Sequence, residues 1–367
     1  MVAVNRNNIV LCTDVTEYET DVSCGMKLWL SKYEQGCGVI PKGDHLPTRV
    51  LQETHEDMRT IAKMEDISRE AIQAAIDPIL AKLTDQQREN TRMMEILYRR
   101  LGWFAAFALF MEPALRDMYE TIEHDPWMVL DRDPLWVTTE PDRIMRNKVN
   151  GDIVYHEYIP TTFSTSRWLE VWEREIRLQV GMGAARESVN IQPAYGQIRA
   201  FSKGFHGAHG RLIHPYVYGK FNKASGAWNY SQYSTTLKED GVIDKPVWEF
   251  NGGIVQWVLN CGGDTARMQF SLSARIFPKP RALADWLAQR LNRERQIRTV
   301  KEQAQTNQHI RNLYFVKNPR ACKPMYGEEC PYVQACWEMG GIDLLKSGRF
   351  LPMIMPTGKA IQAEVRT

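Results

Sequence analysis

Three cysteines close to the C-terminus have the residue types and spacing of a metal centre. Cys322, Cys330 and Cys336 form the pattern C-x7-C-x5-C, and Pro and Gly residues turn the loop between the first two. Thiolates are soft ligands, which suit zinc, copper(I) or iron–sulfur chemistry. Such a centre usually has a fourth ligand, and Cys24, far upstream in the chain, is the candidate.

The spacing of these cysteines leaves three interpretations open. Free cysteines often pack as small buried apolar side chains with no metal. Zinc sites usually contain C-x2-C to C-x4-C knuckles, which are shorter than both spacings here. Iron–sulfur clusters accept wider and more scattered cysteines. The pattern therefore favours a cluster, with a zinc site and metal-free packing as alternatives.

Composition sets broad limits on the function. The chain has 367 residues and a formal net charge of +2, so global charge does not indicate nucleic-acid binding. Seven cysteines without an N-terminal apolar signal segment predict a reducing, cytoplasmic compartment without disulfides. The most apolar run, residues 103–111, is too short to span a bilayer, so we expect no membrane partner.

The order of helical and extended patterns predicts a single α/β domain over residues 1–367, with a mixed sheet flanked by helices. A long helix should begin at Pro280, because Pro is favoured at the first helical position, and should end near residue 307. The remaining regions are a helical region (45–125), a core of short strands, a hairpin and a helix (127–203), a β-rich insertion with many Gly and aromatic residues (204–263), and a cysteine element (310–340).

A predicted hairpin brings two acidic residues together. Asn150 and Gly151 favour a two-residue type I′ turn, because both tolerate positive φ. That turn would place Asp142 opposite Ile159, with Glu157 as a diagonal neighbour on the same face, about 6–8 Å from Asp142. Carboxylates at this separation can converge on one hard divalent cation. The alternative is that both acids simply face solvent.

These residues occur in an order that resembles the PD-(D/E)XK nuclease superfamily. The nearest branch is that of the RecB-like iron–sulfur exonucleases, which includes CRISPR-adaptation nucleases and many phage proteins. The resemblance touches positions 24 to 337 and skips about 204–263. Its motifs, in chain order, are Cys24 followed by Lys27 and Trp29, then His55-Glu56, Pro141-Asp142, Glu157-Tyr158-Ile159, Gln179 and the terminal cysteine triplet.

The resemblance implies metal-dependent cleavage of DNA, often of single strands or from ends, in the cytoplasm of a bacterial or phage-infected cell. Asp142 and Glu157 would be catalytic and would bind Mg²⁺ or Mn²⁺, with His55 and the Tyr158 carbonyl as further ligands. Gln179 would be the catalytic residue of the next helix. The four cysteines named above would hold one [4Fe–4S] cluster.

Two positions depart from the family pattern. The family has Lys two residues after the Glu, where this chain has Ile159. The family's helix motif Q-x3-Y has Gly183 in place of the Tyr. These changes favour a catalytically silent fold that binds DNA or assembles with protein partners. A zinc-stabilised interaction protein is a further alternative.

Positive charge is concentrated in the long predicted helix. Residues 275–301 contain eight Lys and Arg against two acidic residues. Such a run is either a solvated helix face or a surface that neutralises DNA phosphates. On the second interpretation, Arg290, Arg293 and Arg298 are the expected phosphate contacts.

Overall fold

The computed structural model describes residues 11–14, 21, 23–36, 38–41, 46–85, 91–161, 176–202, 217–222, 227–231, 243–247, 253–322, 330–337 and 343–352. The helices of these ranges are α1 (Gly25–Leu28), α2 (Leu46–Lys63), α3 (Arg69–Ala81), α4 (Thr91–Ala106), α5 (Glu112–Met118), α6 (Ile176–Ser188), α7 (Gly253–Cys261), α8 (Gly263–Arg267), α9 (Pro280–Thr306), α10 (Gln308–Tyr314), α11 (Pro319–Cys322) and α12 (Val333–Trp337). Single π-helical segments follow α1 (Trp29–Tyr33) and α4 (Phe107–Met111).

The strands are β1 (Leu11–Asp14), β2 (Val39–Pro41), β3 (Tyr119–His124), β4 (Met128–Arg132), β5 (Leu135–Thr139), β6 (Arg143–Asn147), β7 (Ile153–Thr161), β8 (Tyr195–Ser202), β9 (Val217–Asn222), β10 (Ala227–Ser231), β11 (Ile243–Val247), β12 (Phe270–Leu272) and β13 (Phe350–Pro352). The central sheet has the order β12-β8-β7-β6-β3. Strands β7 and β8 are parallel and the other neighbours are antiparallel. This mixed sheet, flanked by helices, confirms the predicted mixed α/β class.

The two faces of the central sheet carry separate cores, since side chains alternate along β7. On one face Tyr158 packs with helices α2, α3, α4 and α7. This first core includes Met58, Ile61, Ile72, Ile76, Leu101, Phe104, Phe107, Phe201, Trp257 and Phe270. On the other face Tyr155 and Ile159 pack with α6, the β4–β5 pair and the first turns of α9. This second core includes Leu130, Val137, Ile144, Leu178, Val180, Met182, Ile198, Leu283, Trp286 and Leu287.

A third core joins the two ends of the chain. Trp29 is fully buried and its ring lies 4.8 Å from that of Phe315. Strand β13 pairs with β2, which closes the C-terminal segment onto the N-terminal one. The second half of α9 contributes Ile297, Val300 and Ala304 to this core. Helix α9 therefore runs from the second core to the third.

Helices α2 to α5 lie within the predicted helical region, 45–125, and two details differ from the expectation. The first long helix ends at Lys63, because Ser68 begins a new one: its hydroxyl accepts a hydrogen bond from the Ala71 amide at 3.3 Å. The last residues of the region form strand β3 rather than helix, because β3 pairs with β6 at the edge of the central sheet. Ser166, which has a residue type that suits the N-cap of the helix predicted within 127–203, lies outside the described residues.

The region predicted as a β-rich insertion, 204–263, contains both strands and a helix among its described residues. Strands β9, β10 and β11 form a small antiparallel sheet. However, the end of this region is helix α7, whose Trp257 is buried in the first core. Gly102 makes this packing feasible, because a Cβ at that position would lie 2.4 Å from the Trp257 ring. The segment 253–261 is therefore part of the central fold.

None of the described helices combines the length and apolar character needed to cross a membrane.

Candidate metal and nucleic-acid site

The hairpin between β6 and β7 has a longer turn than predicted. The Asn147 amide donates to the Asp152 carbonyl at 2.8 Å, which closes a loop over residues 148–151. The Asn147 side chain stabilises this loop, since its Oδ1 accepts a hydrogen bond from the Val149 amide at 2.8 Å. Gly151 adopts positive φ, as expected, but as the last residue of the loop. The predicted two-residue turn is therefore wrong.

The longer turn shifts the register by two residues, so each paired side chain keeps its predicted face. The observed pairs include Arg143 with His156. The ladder ends at this pair, so Asp142 lies one residue before the first paired residue of β6 and is not paired with Ile159 as predicted. The ladder therefore does not place Asp142 on the face of Glu157.

Asp142 is a buried carboxylate held from three directions. Its Oδ2 accepts a hydrogen bond of 2.6 Å from the Tyr158 amide. Its Oδ1 lies 2.7 Å from His55 Nε2 and 2.6 Å from Arg59 Nε. Burial alone would raise the pKa of Asp142, but the charges and hydrogen bonds of these neighbours lower it to about 2. Asp142 is therefore ionised at neutral pH.

His55 and Arg59 reach Asp142 from one face of α2, because residues four apart on a helix are neighbours. Met58 and Ile61 anchor α2 in the first core. His55 Nε2 is buried and lies within hydrogen-bonding distance of Asp142 Oδ1. An imidazole nitrogen and a carboxylate oxygen that converge in this way can also serve as two ligands of one cation.

Glu157 is also buried, on the neighbouring strand. It accepts a hydrogen bond of 2.9 Å from the Tyr155 hydroxyl, and Arg177 Nε lies 3.5 Å from its other oxygen. These contacts direct the carboxylate toward α6. In the ranges that the structure describes, no three His, Cys, Asp or Glu side chains converge closely enough to hold one metal ion. His55 and Asp142 are thus brought together, whereas the described contacts of Glu157 lie on the side of α6.

Gln179 has a different position from the other predicted site residues. Its Nε2 donates to the Phe277 carbonyl at 3.1 Å, and its Oε1 accepts from the Lys279 amide at 2.6 Å. Both ends of the amide therefore fix the segment that leads into α9. Gly183, one turn further along α6, leaves no space for the family's Tyr: a Cβ there would lie 2.7 Å from Leu283 Cδ2.

Ile159, which stands where the family has Lys, is 9 % exposed and belongs to the second core. The Tyr158 ring points to the opposite face, where it packs edge-on against Phe107. The Tyr158 amide is the part of this residue that contacts Asp142. The side chains of Tyr158 and Ile159, which follow Glu157, therefore pack on opposite faces of the sheet.

The four cysteines predicted to form a cluster lie in one region of the molecule. Cys24 is buried in the third core, and Cys330 and Cys336 pack against that core. The Cys330 amide donates to the Cys322 carbonyl at 2.9 Å. Burial raises the pKa of Cys336 to about 11, and the charges of the other three thiols also raise it, against a lowering by Lys317. The N-terminal thiol is therefore within electrostatic reach of the C-terminal three.

The basic helix α9 begins at Pro280, as predicted, and ends at Thr306. Two of its expected phosphate contacts form ion pairs within the protein. Arg290 is 2 % exposed and pairs with Asp21 at 3.2 Å. Arg293 also pairs with Asp21, at 2.8 Å, and lies over the Phe315 ring. These ion pairs correct the expectation for Arg290 and Arg293, whereas Arg298 is exposed, together with Arg281, Arg295 and Lys301.

Sequence reasoning missed three side chains of this site. Arg59 contacts Asp142, while Tyr155 and Arg177 contact Glu157. The one available signal was the i, i+4 spacing of His55 and Arg59, which places both on the same helix face.

Compared with known proteins, the chain matches no family model and no curated sequence.

Proposed function

We propose that this chain is a metal-dependent DNA exonuclease of the PD-(D/E)XK type that carries a [4Fe–4S] cluster. The observation that supports it best is the convergence of His55 and Asp142, 2.7 Å apart, with a second buried acid, Glu157, on the neighbouring strand. Two carboxylates and an imidazole are suitable ligands for Mg²⁺ or Mn²⁺.

Asp142, Glu157 and His55 would hold the ion. When bound, it would lower the pKa of a water molecule and stabilise the charge that develops on the phosphate. The chain's own groups would orient these ligands: the Tyr158 amide fixes Asp142, and the Tyr155 hydroxyl fixes Glu157. Such partners of ligating side chains preserve metal affinity as well as geometry.

DNA would be bound by the exposed cations of α9. Arg295, Arg298 and Lys301 are exposed and recur along the helix three residues apart. Cations on a solvent-exposed face can neutralise phosphates without reading the base sequence. The four cysteines would hold the cluster next to the same end of α9, because the third core contains both.

A second candidate function is a silent nuclease fold that binds DNA or assembles with a protein partner. Two observations favour it: Ile159 is packed in the second core, and the Arg59 guanidinium already neutralises Asp142. Both candidates share the fold and the DNA surface. They differ in turnover alone, so a cleavage assay distinguishes them.

The test uses anaerobically purified protein with Mn²⁺ or Mg²⁺, on single-stranded DNA and on blunt-ended duplex DNA. For the nuclease, we expect metal-dependent release of nucleotides that is lost in Asp142→Ala, while salt-sensitive DNA binding persists in that variant. Salt-sensitive binding by the wild type without any cleavage would support the silent fold. Equal cleavage by Asp142→Ala and the wild type would refute the proposed site.

A further inference from the structure

A guanidinium group lies across the candidate metal site. Arg59 Nε is 2.6 Å from Asp142 Oδ1, and its Nη1 is 3.1 Å from Glu140 Oε1. Its Nη2 also lies 3.5 Å from the Glu140 carbonyl. The Arg59 side chain is only 14 % exposed, so this is a largely desolvated contact rather than a surface ion pair.

The two acids that Arg59 bridges lie just before β6. The pairs of the β6–β7 ladder run from Arg146 with Ile153 to Arg143 with His156, so Asp142 directly precedes the first paired residue. The Tyr158 amide donates to Asp142 Oδ2, which holds Asp142 against the strand that carries Glu157 and Ile159. The guanidinium therefore contacts acids at the end of β6, next to the strand in which the family has its Glu and Lys.

We propose that Arg59 supplies the positive charge that Ile159 cannot provide, an inference that rests on the proposed nuclease function. A guanidinium is always protonated in proteins, so Arg59 cannot act as a base. Its planar set of N–H donors matches a phosphate group, which a single ammonium cannot do to the same extent. Its role would be to neutralise charge on the scissile phosphate beside Asp142.

The same geometry sets a relation between Arg59 and the metal. Both would interact with Asp142 Oδ1, so the guanidinium competes with the ion for this oxygen. The contacts of Arg59 with Glu140 do not involve Asp142, and they remain available when the ion is bound. Removing the guanidinium should therefore leave metal affinity unchanged or increase it, while removing a charge needed during cleavage.

The first experiment compares Arg59→Met with the matched control Lys63→Met. Lys63 lies one turn further along α2 and pairs with Asp125 at 2.7 Å. Mn²⁺ affinity is measured by calorimetry on protein that keeps its cluster and has been freed of divalent cations. The cleavage rate is measured under single-turnover conditions at saturating Mn²⁺. For Arg59→Met we expect Mn²⁺ binding at least as tight as in the wild type and cleavage about 100-fold slower, the usual cost of losing one charge-stabilising donor. Lys63→Met should change neither quantity.

The second experiment moves the charge. In the Arg59→Met background, Ile159→Lys should restore cleavage at least tenfold, whereas Ile159→Lys alone should add little. A lysine in the second core can impair folding, so Arg59→Lys is a further variant. It keeps a cation at position 59, and its cleavage rate should remain well above that of Arg59→Met.

Several results would overturn the inference. If wild type and Arg59→Met cleave equally at saturating Mn²⁺, Arg59 does not supply the charge, although the nuclease proposal stands. If Arg59→Met binds Mn²⁺ more weakly and excess Mn²⁺ restores its rate, Arg59 only orders Asp142. If Arg59→Lys is as slow as Arg59→Met, charge at this position is not what matters. A wild type that never cleaves would overturn the nuclease function and this inference with it.

Discussion

Replacing Glu112 with Gln should destabilise the fold strongly, because this carboxylate balances buried positive charge next to the candidate site. Glu112 and Arg143 are each 1 % exposed, and their closest N–O distance is 2.6 Å. Arg199 is also buried on this face, where burial lowers its pKa and the neighbouring Arg143 lowers it further. Without the carboxylate, two guanidinium groups would remain in the interior. Breaking a buried ion pair from one side costs about 3–5 kcal/mol, and we expect Glu112→Gln to fall in this range.

The assay is urea unfolding followed by circular dichroism, with two comparison variants. Arg116 also contacts Glu112 but is 33 % exposed, so Arg116→Met should cost less than about 1 kcal/mol. The double variant Glu112→Leu with Arg143→Met removes both charges and should recover most of the stability lost in Glu112→Gln. A Glu112→Gln protein within about 1 kcal/mol of the wild type would refute the reasoning, since it would mean that the Arg143 charge is compensated elsewhere.

Three further predictions concern the cysteines, the packing of α6 and the basic helix. Anaerobically purified protein should contain about four iron and four sulfide per chain. The Cys24→Ser variant should lose both and unfold at a lower temperature, whereas the control Cys261→Ser should do neither. Stoichiometric zinc without iron would contradict the cluster. The Gly183→Tyr variant should lower the free energy of unfolding by about 3 kcal/mol or more, because the ring overpacks against α9. The Gly183→Ala variant should stay within about 1 kcal/mol of the wild type, because it also gains helix propensity. Equal stability of the two variants in urea would contradict the close packing. Replacing Arg295 and Arg298 with Glu should weaken binding to all DNA sequences alike. The slope of log affinity against log salt concentration should fall by about one counterion per lost contact, as measured by fluorescence anisotropy at several salt concentrations. Unchanged affinity would mean that this face of α9 is only solvated.

The elements that the sequence predicts well are those determined by local patterns. Helix α9 was predicted from Pro280 onward, because Pro at the first helical position and apolar residues at helical spacing act within the segment itself. Strands β4 and β5 lie within the predicted core of short strands, 127–203, because β-prone residues also act within their own segment. The hairpin turn was not, because the Asn147 side chain selects a longer loop than the Asn150-Gly151 pair would form alone.

Features determined by distant residues could not be predicted. The burial of Arg290 depends on Asp21, 269 residues away in sequence, so a count of charges along α9 could not tell internal from external arginines. The helical structure of α7 depends on a partner, because Trp257 packs into space left by Gly102. For the candidate site, the acids were expected from the hairpin pattern and the family resemblance, and His55 from the resemblance alone. The i, i+4 spacing places Arg59 on the helix face of His55 but does not identify Asp142 as its partner.

The position of α9 links the two halves of the proposed function. Its N-terminal end is fixed by Gln179, through the Lys279 amide, next to the helix that packs on Glu157's face of the sheet. Its C-terminal half contributes to the third core with Cys24. At 27 residues, the helix is about 40 Å long, so it spans the distance between the two regions as one rigid element. A cluster held by the cysteines would therefore fix the direction of α9, and with it the exposed cations relative to the acids. Loss of the cluster should then weaken DNA binding as well as stability, even though no cysteine needs to contact DNA.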